Sequence, residues 1–398
     1  MAAPVITQVL VLGAGKVGGT VADMVAEYHR LPVTLADRDH PSQEPGDRLV
    51  RRTVVDAADD ASLAAAMAGH DVVINALPYF LAARVAKAAR ASRVHYFDLT
   101  EDVAATTAIR VLADGADSLL MPQCGLAPGV IGMLGAHLAG RFDALHDLRL
   151  RVGALSRHAT NALRYNFTWS IDGVINEYCH PCAAIVHGEL VSLLPLEGHE
   201  TLVLDGDTYE AFNTSGGLGT LCETLAGRVR NLDYKTLRYP GHRDAMKLLL
   251  HDLRLADRRD LLREVLEHAV PHSREDMVLV FASASGLRGG RLEQETRMAR
   301  IQGGRLRGVQ RTAIELATAA GVVGAFELLR TGRLPPRGFV GQEQVALEDF
   351  LATRVGSCYA ALGLPGSAAA PAGPPRGHTF AHTWPPEARR RVRKETQA

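Results

Sequence analysis

Six residues near the amino terminus, Gly13-Ala14-Gly15-Lys16-Val17-Gly18, have the spacing of a phosphate-binding loop. They follow an apolar run typical of a buried strand and precede apolar residues at helical spacing. In this setting the first glycine permits a tight turn, the second lets the backbone approach a pyrophosphate, and the third lets the helix lie close to the strand. The free N–H groups at the helix start would bind the anion. The loop therefore predicts a dinucleotide-binding site.

The residues that end the second apolar run indicate which dinucleotide would bind. Asp37 lies about 20 residues beyond the loop, where a carboxylate accepts hydrogen bonds from ribose hydroxyl groups. A carboxylate at this position repels a 2′-phosphate, so the sequence favours NAD. Arg38 follows directly and could bind such a phosphate, which keeps NADP open as the alternative cofactor.

Polar residues also follow the later apolar runs of the first 125 residues. Asp56 follows the third run and is a candidate for contact with the adenine. Asn75-Ala76-Leu77-Pro78 closes the fourth run, and Asp98 closes the fifth. Ligands of doubly wound sheets bind beyond the carboxyl ends of the strands. We therefore expect the last two groups at the nicotinamide end of the cofactor.

Strand and helix patterns alternate strictly over residues 1–125. Short apolar runs are followed by segments whose apolar residues recur at helical spacing, as in Val17–Tyr28, and the third strand is expected at Val54–Asp56. Such alternation predicts an α/β fold with a parallel, doubly wound sheet of the Rossmann type, because parallel strands need helical crossovers.

The pattern changes after residue 125, where longer runs with alternating polarity begin. Leu148–Ala154 is one such run, and Met277–Ser283 with Arg291–Ile301 predicts a hairpin. Helices are expected between them, with a final long helix at Thr312–Arg330. A second domain of the α+β class, with an antiparallel or mixed sheet, is the simplest assembly of these elements.

These changes divide the chain into four predicted parts. A dinucleotide-binding Rossmann domain is expected at 1–125, and an α+β domain for substrate binding and dimerisation at 126–308. Helices at 309–362 would return to the first domain. Residues 363–398 are rich in Pro, Ala, Gly and Arg without an apolar period, so they predict a disordered tail.

The composition is that of an ordinary globular protein. The chain has 398 residues, with 44 basic and 44 acidic side chains, and this zero net charge argues against nucleic acid or an anionic membrane as a partner. Five scattered cysteines imply no disulfide framework, and the start shows no secretory signal, so we expect a cytoplasmic protein. The histidines lack metal-binding spacing, and Cys179-His180-Pro181-Cys182 has no second pair, so no metal site is predicted.

Several longer stretches resemble the saccharopine dehydrogenase family. The similarity lies in GAGKVGG, DVVINALPYFL, HYFDLTED, PQCGLAPGV and NALRYNFTWSIDGVINEY, with further matches in EAFNTSGGLGTLCETLAG, LDYKTLRYPGH and GFVGQEQVALEDFLATR. It extends from about Val9 to Arg354. The resemblance implies a pyridine-nucleotide oxidoreductase that acts on a carbon–nitrogen bond of lysine or a lysine-derived amine. It also implies a second domain that binds the substrate and helps to form a homodimer.

Within this family the resemblance favours one activity and leaves others open. The stretches NTSGGLGT and RYPGH are closer to lysine 6-dehydrogenase than to the glutamate-forming saccharopine reductases. The latter carry an arginine near the first stretch for a second amino-acid head, and Phe212–Gly216 offers none. We therefore expect oxidative deamination of the terminal amine of L-lysine. Saccharopine oxidation, a reductive amine-joining reaction and a non-catalytic NAD-binding sensor or scaffold remain the alternatives.

Amine oxidation needs a proton acceptor near the reacting nitrogen and a cation for the substrate carboxylate. Asp98 at a strand end and His242, whose ordinary pKa is near neutral, are the candidate acceptors. Cys124 ends the sixth strand and is expected to line the same cleft. Arg238, next to Tyr239, is the candidate for a bidentate clamp on the carboxylate.

Two further groups are candidates for substrate contact. Tyr165 and Trp169 are four residues apart and would share a helix face, with Asn166 beside them. They predict either an aromatic wall along an aliphatic amine or a stripe of core residues. Asn213-Thr214-Ser215-Gly216 is a polar turn whose backbone N–H groups would either hold a carboxylate or begin a helix.

Overall fold

The first sheet consists of short parallel strands from the amino-terminal part of the chain. The computed structural model describes residues 3–39 and 48–363, so the predicted tail lies outside the described residues except for Gly363. The strands of this sheet are β1 (Val9–Leu12), β2 (Val33–Asp37), β3 (Val50–Val54), β4 (Val72–Asn75), β5 (His95–Asp98), β6 (Leu119–Met121) and, late in the chain, β17 (Gly338–Phe339).

All strand pairs of this sheet are parallel. Their order is β17-β6-β5-β4-β1-β2-β3 in the described residues, and β1 lies between β2 and β4 with Val9 opposite both Val33 and Val72. The order 3-2-1-4-5-6 is that of the Rossmann fold. The predicted doubly wound α/β fold is therefore confirmed.

Four helices cover the two faces of this sheet: α1 (Lys16–Met24), α2 (Asp60–Met67), α3 (Ala82–Ala91) and α4 (Val103–Ala113). The Asp59 carboxylate accepts the Ser62 N–H at 3.0 Å and begins α2, and the Asp102 carboxylate accepts the Ala105 N–H at 2.7 Å and begins α4. No side chain caps the start of α1. Its N–H groups therefore remain available to a ligand.

The third strand, Val50–Val54, begins four residues and ends two residues earlier than the predicted Val54–Asp56, so that prediction was wrong in position. Asp56 is part of a turn instead, because its Oδ1 accepts the Ala58 N–H at 2.9 Å and its own N–H donates to Ser62 Oγ at 3.0 Å. An aspartate that binds nearby backbone groups in this way stabilises a turn and ends the ladder.

The second sheet contains longer strands: β7 (Ala144–Ser156), β8 (Cys182–Val186), β9 (Glu189–Leu193), β10 (Glu200–Leu204), β11 (Asp207–Asn213), β12 (Val229–Arg238), β13 (Asp276–Arg288) and β14 (Arg291–Gln302). In the described part of the chain their order is β10-β11-β12-β7-β13-β14, with β8 on β12 and β9 on β8. β12 and β7 are parallel and the other pairs are antiparallel. The predicted mixed sheet is confirmed.

Besides short 3-10 and π turns, the described residues contain seven further α-helices and a two-stranded ladder: α5 (Val130–Ala139), α6 (Ile171–Cys179), α7 (Leu221–Leu225), α8 (His242–Lys247), α9 (Arg259–Ala269), β15 (Gly304–Leu306), β16 (Val309–Arg311), α10 (Ala313–Arg330) and α11 (Leu347–Leu351). The long helix α10 lies directly on the chain that leaves the first sheet. A Cβ on Gly321 would lie 2.5 Å from the Gly125 carbonyl oxygen, so only glycine permits this approach.

The segment with Tyr165 and Trp169 is not helical, contrary to the prediction. The Phe167 N–H donates to the Pro271 carbonyl and its own carbonyl accepts the Ser273 N–H at 3.0 Å, which holds the segment extended. Helix α6 begins only at Ile171, behind the Ser170 cap. The two aromatic side chains still meet, because Trp169 Nε1 donates to the Tyr165 hydroxyl at 3.1 Å.

A buried aspartate joins the second sheet to α10. Asp276, on β13, accepts the Ala313 N–H at 2.5 Å and the Ile314 N–H at 3.1 Å. Replacing Asp276 with Ala should lower the free energy of unfolding by about 2 kcal/mol, because both N–H groups of the helix start lose their acceptor. Chemical unfolding measures this change. The neighbouring exposed Glu275→Ala is the matched control, and equal stability of the two variants would contradict this role for Asp276.

Candidate active site

The glycine loop has the shape needed to receive a pyrophosphate. Gly13 has a φ of +99°, and a Cβ there would lie 2.7 Å from the Ala76 carbonyl oxygen. A Cβ on Gly18 would overlap the Gly13 carbonyl, whereas a Cβ on Gly15 would have no other atom within 4 Å. The first and third glycines therefore permit close packing, and the second leaves room for a ligand. These residues fit a dinucleotide.

Asp37 lies against this loop, at the end of β2. Its Oδ2 accepts the Ala14 N–H at 2.6 Å and its Oδ1 accepts the Arg38 N–H at 2.7 Å. Each carboxylate oxygen has further acceptor capacity, so the ribose hydroxyls can still bind. Arg38 is exposed, as are Lys16 at the start of α1 and Asp56 beyond β3.

The turn after β4 presents mainly apolar groups to a cavity between the two sheets. Ala76, Leu77 and Pro78 line this cavity, which we call the reaction cavity, as does Val17 of α1. Asn75 is buried behind them, where its Oδ1 accepts the Leu77 N–H at 3.2 Å. Asn75 therefore shapes the turn and does not line the cavity.

Asp98 and Cys124 are fully buried beneath the cavity and do not line it. The Asp98 carboxylate accepts the Tyr96 hydroxyl at 2.6 Å and the Gln123 N–H at 2.7 Å. Burial raises the pKa of Asp98 to about 6, and these hydrogen bonds oppose the rise. Burial also holds the pKa of the Cys124 thiol well above its ordinary value, so the thiol is unreactive. Neither residue is placed to take a proton from a substrate.

The reaction cavity has a volume of about 730 Å³. Residues of the Rossmann domain form one side, including Ala76–Phe80 and Gly125–Ala127. The second domain contributes aromatic, polar and charged side chains, among them Trp169, Asn176, Glu177, Tyr234, Thr236 and Arg238. A dinucleotide on the glycine loop and a substrate on the second domain would therefore meet in one cavity.

Arg238 is a buried cation that points into this cavity. Its Nε donates to the Tyr178 hydroxyl at 3.0 Å and its Nη1 donates to the Leu237 carbonyl at 2.9 Å. The guanidinium lies 5.1 Å from the centre of the Tyr165 ring. It has no ion pair in the described residues, so its remaining N–H groups can bind a carboxylate. The neighbouring Tyr239 stacks on Tyr209 and does not line the cavity.

His242 supports Arg238 from behind and does not reach the cavity. Its Nδ1 donates to the Leu163 carbonyl at 2.8 Å, so its Nε2 accepts the Tyr178 hydroxyl at 3.0 Å. Burial, together with the nearby Arg238 charge, lowers the pKa of His242 to about 3. Because the ring stays neutral and both nitrogens are bonded, His242 positions Tyr178 and is not a general base for the substrate.

Glu177, which the sequence analysis missed, is the acidic counterpart of Arg238. It lies on α6 and lines the reaction cavity, and its carboxylate has no hydrogen bond or ion pair in the described residues. Burial raises its pKa to about 8, while the Arg238 charge opposes the rise. Gly173, Asn176 and Glu177 share one helix face by their spacing. A carboxylate on that otherwise uncharged face was the sequence signal that could have identified Glu177.

The other predicted substrate contacts are divided between two places. Trp169 lines the reaction cavity with Tyr165 buried behind it, whereas Asn166 binds Asn161 and lies outside it. The turn Asn213–Gly216 does not reach this cavity. Its N–H groups are partly used, because the Ser215 N–H donates to the Glu177 carbonyl at 3.0 Å and the Asn213 N–H to the Glu197 carbonyl. Thr214, Ser215 and Gly216 line a second cavity instead.

Comparisons with known proteins were made for sequence and for fold. Residues 9–118 match the family model of the saccharopine dehydrogenase NADP binding domain, and residues 125–354 match that of the saccharopine dehydrogenase C-terminal domain. Within the residues that the structure describes, no helix is long and apolar enough to cross a membrane.

Two relatives show the range of similarity. The mitochondrial alpha-aminoadipic semialdehyde synthase of Mus musculus is 27% identical over 266 residues, which cover 60% of this chain and 27% of that protein. The saccharopine dehydrogenase [NADP(+), L-glutamate-forming] of Pyricularia oryzae is 25% identical over 292 residues, which cover 70% of this chain and 64% of that protein. The chain thus spans about a quarter of the first relative's length.

A solved structure shares the fold. It is the apo histidine-tagged saccharopine dehydrogenase (L-Glu forming) from Saccharomyces cerevisiae, with a TM-score of 0.68 and 18% sequence identity. The match covers 85% of this chain and 94% of that chain. At this identity the similarity shows that the two-domain architecture is common to both proteins.

Asp37 should set the preference for the cofactor. Asp37→Ser is expected to weaken NAD binding by about tenfold to a hundredfold, because the ribose hydroxyls lose a charged acceptor. The substitution should also lower the ratio of the Kd for NADP to the Kd for NAD, as measured by titration of both nucleotides. Arg38→Gln is the matched control, and it should change NAD binding little. Tighter binding of NADP than of NAD by the unaltered protein would show that Arg38, and not Asp37, determines which nucleotide is preferred.

Glu177 should make the stability of the ligand-free protein depend on pH. With a pKa of about 8 in the folded state and an ordinary value of 4.5, the folded protein holds a proton that the unfolded chain has released between these pH values. Stability due to this group therefore falls as the pH rises through that window. Glu177→Gln cannot titrate, so its Tm relative to the unaltered protein should rise by several degrees from about pH 5 to about pH 8. The exposed Glu189→Gln should show no such trend, and parallel curves for all three proteins would contradict the raised pKa.

Proposed function

The chain belongs to the saccharopine dehydrogenase family, and we propose that it oxidises the terminal amine of L-lysine with NAD as hydride acceptor. The observation that carries this proposal is the combination of a buried cation, Arg238, and a half-buried acidic residue, Glu177, on the lining of the reaction cavity. A pure nucleotide-binding scaffold would not need Arg238, because a buried cation without an ion pair destabilises a fold unless a ligand satisfies it.

Arg238 and Glu177 together suit the two charges of an amino-acid head. The free N–H groups of Arg238 would bind the α-carboxylate, as bidentate arginine–carboxylate pairs do. Glu177 would accept the α-ammonium group, whose positive charge favours the ionised carboxylate. The Leu163–His242–Tyr178 chain of hydrogen bonds holds Arg238 in place, so its guanidinium is oriented before the substrate arrives.

The aliphatic part of lysine would lie along Trp169, with Val152 and Ala154 of β7 on the same lining. This direction carries the terminal amine toward Ala76–Pro78 and Gly125–Ala127, at the carboxyl ends of the first sheet. A bound nicotinamide supplies the hydride acceptor there. The apolar walls exclude bulk water and so strengthen the electrostatic interactions in the cavity.

Glu101 is the residue that we propose takes the proton from the terminal amine. It follows β5 and lines the reaction cavity, whereas Asp98 and His242 do not. Burial raises its pKa, and the neighbouring side chain of Asn176 opposes the rise. A carboxylate whose pKa lies closer to neutrality is a stronger base than an ordinary one.

Saccharopine is the second candidate substrate, and one observation favours it. Arg259 and Arg263, which sequence analysis did not identify, lie at the exposed mouth of the reaction cavity. They could bind the carboxylates of a second amino-acid head. Asp172 and Asp260 lie at the same mouth and balance the two charges, so lysine remains the first candidate. The homodimer implied by the family resemblance is retained as part of this proposal.

Product analysis with lysine as the sole amine tests the proposed reaction. We expect ammonia and NADH in equal amounts, together with an aldehyde that cyclises because its own α-amine lies at six-membered-ring distance. Arg238→Gln should lower kcat/KM for lysine by about a hundredfold, since a buried carboxylate would lose its charged partner.

Arg263→Gln is the matched control, because it removes a guanidinium from the mouth of the same cavity. Oxidation of lysine should be nearly unchanged in this variant. A protein that oxidises saccharopine but not lysine, and loses that activity in Arg263→Gln, would move the assignment to the second candidate. It would leave the fold and the dinucleotide site as described.

A further inference from the structure

A second cavity of about 690 Å³ lies behind the reaction cavity, and we call it the rear cavity. It shares three lining residues, Glu101, Asn176 and Tyr234, with the reaction cavity. These three side chains form the wall between the two spaces. At its other end the rear cavity is lined by exposed residues of the β8–β9 hairpin, among them Ala183 and Ser192. It therefore leads from solvent to the back of the proposed active site.

The charges of the rear cavity differ from those of the mouth. Glu101 and Asp102 contribute carboxylates, and no lysine or arginine occurs among the described residues that line it. At the mouth, Arg259 and Arg263 offset the acidic residues. A carboxylate would thus find no lysine or arginine partner in the rear cavity, whereas a small cation or a neutral hydrogen-bond donor would find acceptors.

Two buried oxygen atoms beside the rear cavity have no hydrogen-bond partner in the described residues. They are Asn176 Oδ1 and Thr214 Oγ1, on side chains that are 5% and 3% exposed. Buried acceptors are normally satisfied, so a pair without partners next to a cavity indicates a place for water or another N–H or O–H donor.

The glycines of the Asn213–Gly217 turn pack on the wall. Gly216 has a φ of +83°, and a Cβ there would lie 2.8 Å from Glu101 Cβ. A Cβ on Gly217 would overlap the Tyr234 ring. The turn therefore fixes two of the three wall residues by close contact. This is a role for the NTSGG stretch other than the predicted carboxylate site.

The proposed reaction needs a second route to the reacting carbon. The amine carbon gives a hydride to the oxidised nicotinamide and the nitrogen loses a proton, which leaves an imine. One water then adds to the imine carbon, and the nitrogen leaves as ammonia while oxygen takes its place. During these steps a bound dinucleotide and the amino acid would occupy the reaction cavity and its mouth.

We propose that the rear cavity is the passage by which water enters and ammonia leaves, past the wall of Glu101, Asn176 and Tyr234. This inference rests on the proposed function, because saccharopine oxidation releases no ammonia. Glu101 lies where both cavities meet, so the carboxylate that takes the amine proton also faces the departing nitrogen. The exposed, acidic route separates ammonia from the aldehyde that remains bound by its amino-acid head.

Narrowing the outer end of the rear cavity tests the passage. Ser192→Trp fills space on β9 without touching the reaction cavity, and Glu189→Trp, on the same strand but outside the lining, is the matched control. With lysine, the single-turnover rate of NADH formation should stay unchanged in both variants. Steady-state turnover of Ser192→Trp should fall by about fivefold or more, because product release then limits the rate.

The reverse reaction supplies a second measurement. With the cyclised aldehyde and NADH, the KM for ammonium should rise by about fivefold or more in Ser192→Trp and stay unchanged in Glu189→Trp. Equal turnover and equal KM for ammonium in the two variants would overturn the passage while leaving lysine oxidation intact. A wild-type protein that forms no ammonia from lysine would instead overturn the proposed function and the passage together.

A third measurement does not depend on activity. Crystals soaked in thallium(I), which resembles ammonium in size and charge, should show anomalous density in the rear cavity near Glu101 and Asp102. The density at the wall should be lost in Glu101→Gln, which keeps the shape of the side chain and removes its charge. Thallium found only at the mouth, near Asp172 and Asp260, would count against the passage.

Discussion

A single buried carboxylate fixes the floor of both cavities. Asp98 accepts hydrogen bonds from the Tyr96 hydroxyl and from the N–H groups of Thr100 and Gln123, and its own carbonyl accepts the Cys124 N–H at 2.8 Å. These bonds tie together the two segments that leave β5 and β6. The first continues to Glu101, and the second continues to Gly125, on which α10 rests. Because a buried carboxylate must be fully hydrogen-bonded, this arrangement tolerates little displacement of either segment.

The second domain contains a buried cation that no carboxylate in the described part of the chain neutralises. Arg238 is 2% exposed, yet no carboxylate in the described residues forms an ion pair with it. Its charge is stabilised by the Tyr178 hydroxyl, by a backbone carbonyl and by the Tyr165 ring. His242 stays neutral and fixes Tyr178. These neutral partners lower the cost of desolvation while leaving N–H groups free, so the binding capacity of the guanidinium is retained for a ligand.

Parts of the candidate site could be predicted from the spacing of residues in the sequence. The glycine loop precedes α1, Asp37 ends β2 and Arg238 lines the reaction cavity, and their roles in binding stay predictions. A loop of this kind and a strand end have local sequence signals. Asp98 was assigned as a proton acceptor from its place at a strand end, and His242 from its ordinary pKa and its place near Arg238. In the structure each is enclosed and its hydrogen-bonding groups are engaged. Residue type gives the ordinary pKa, whereas burial and neighbouring charges determine the pKa that operates in the fold.

The sequence by itself determined the alternation of buried strands and helices, the position of the dinucleotide loop and the presence of a second, mixed sheet. These features follow from the period of apolar residues and from turn chemistry, which act over a few neighbouring residues. Only the tertiary structure decided that Phe167 pairs with the distant segment Pro271–Ser273, that Glu177 and Arg238 line the same cavity, and that the Asn213–Gly217 turn packs against Glu101 and Tyr234. Each of these outcomes depends on contacts between residues far apart in the chain, whose packing overrides local preference.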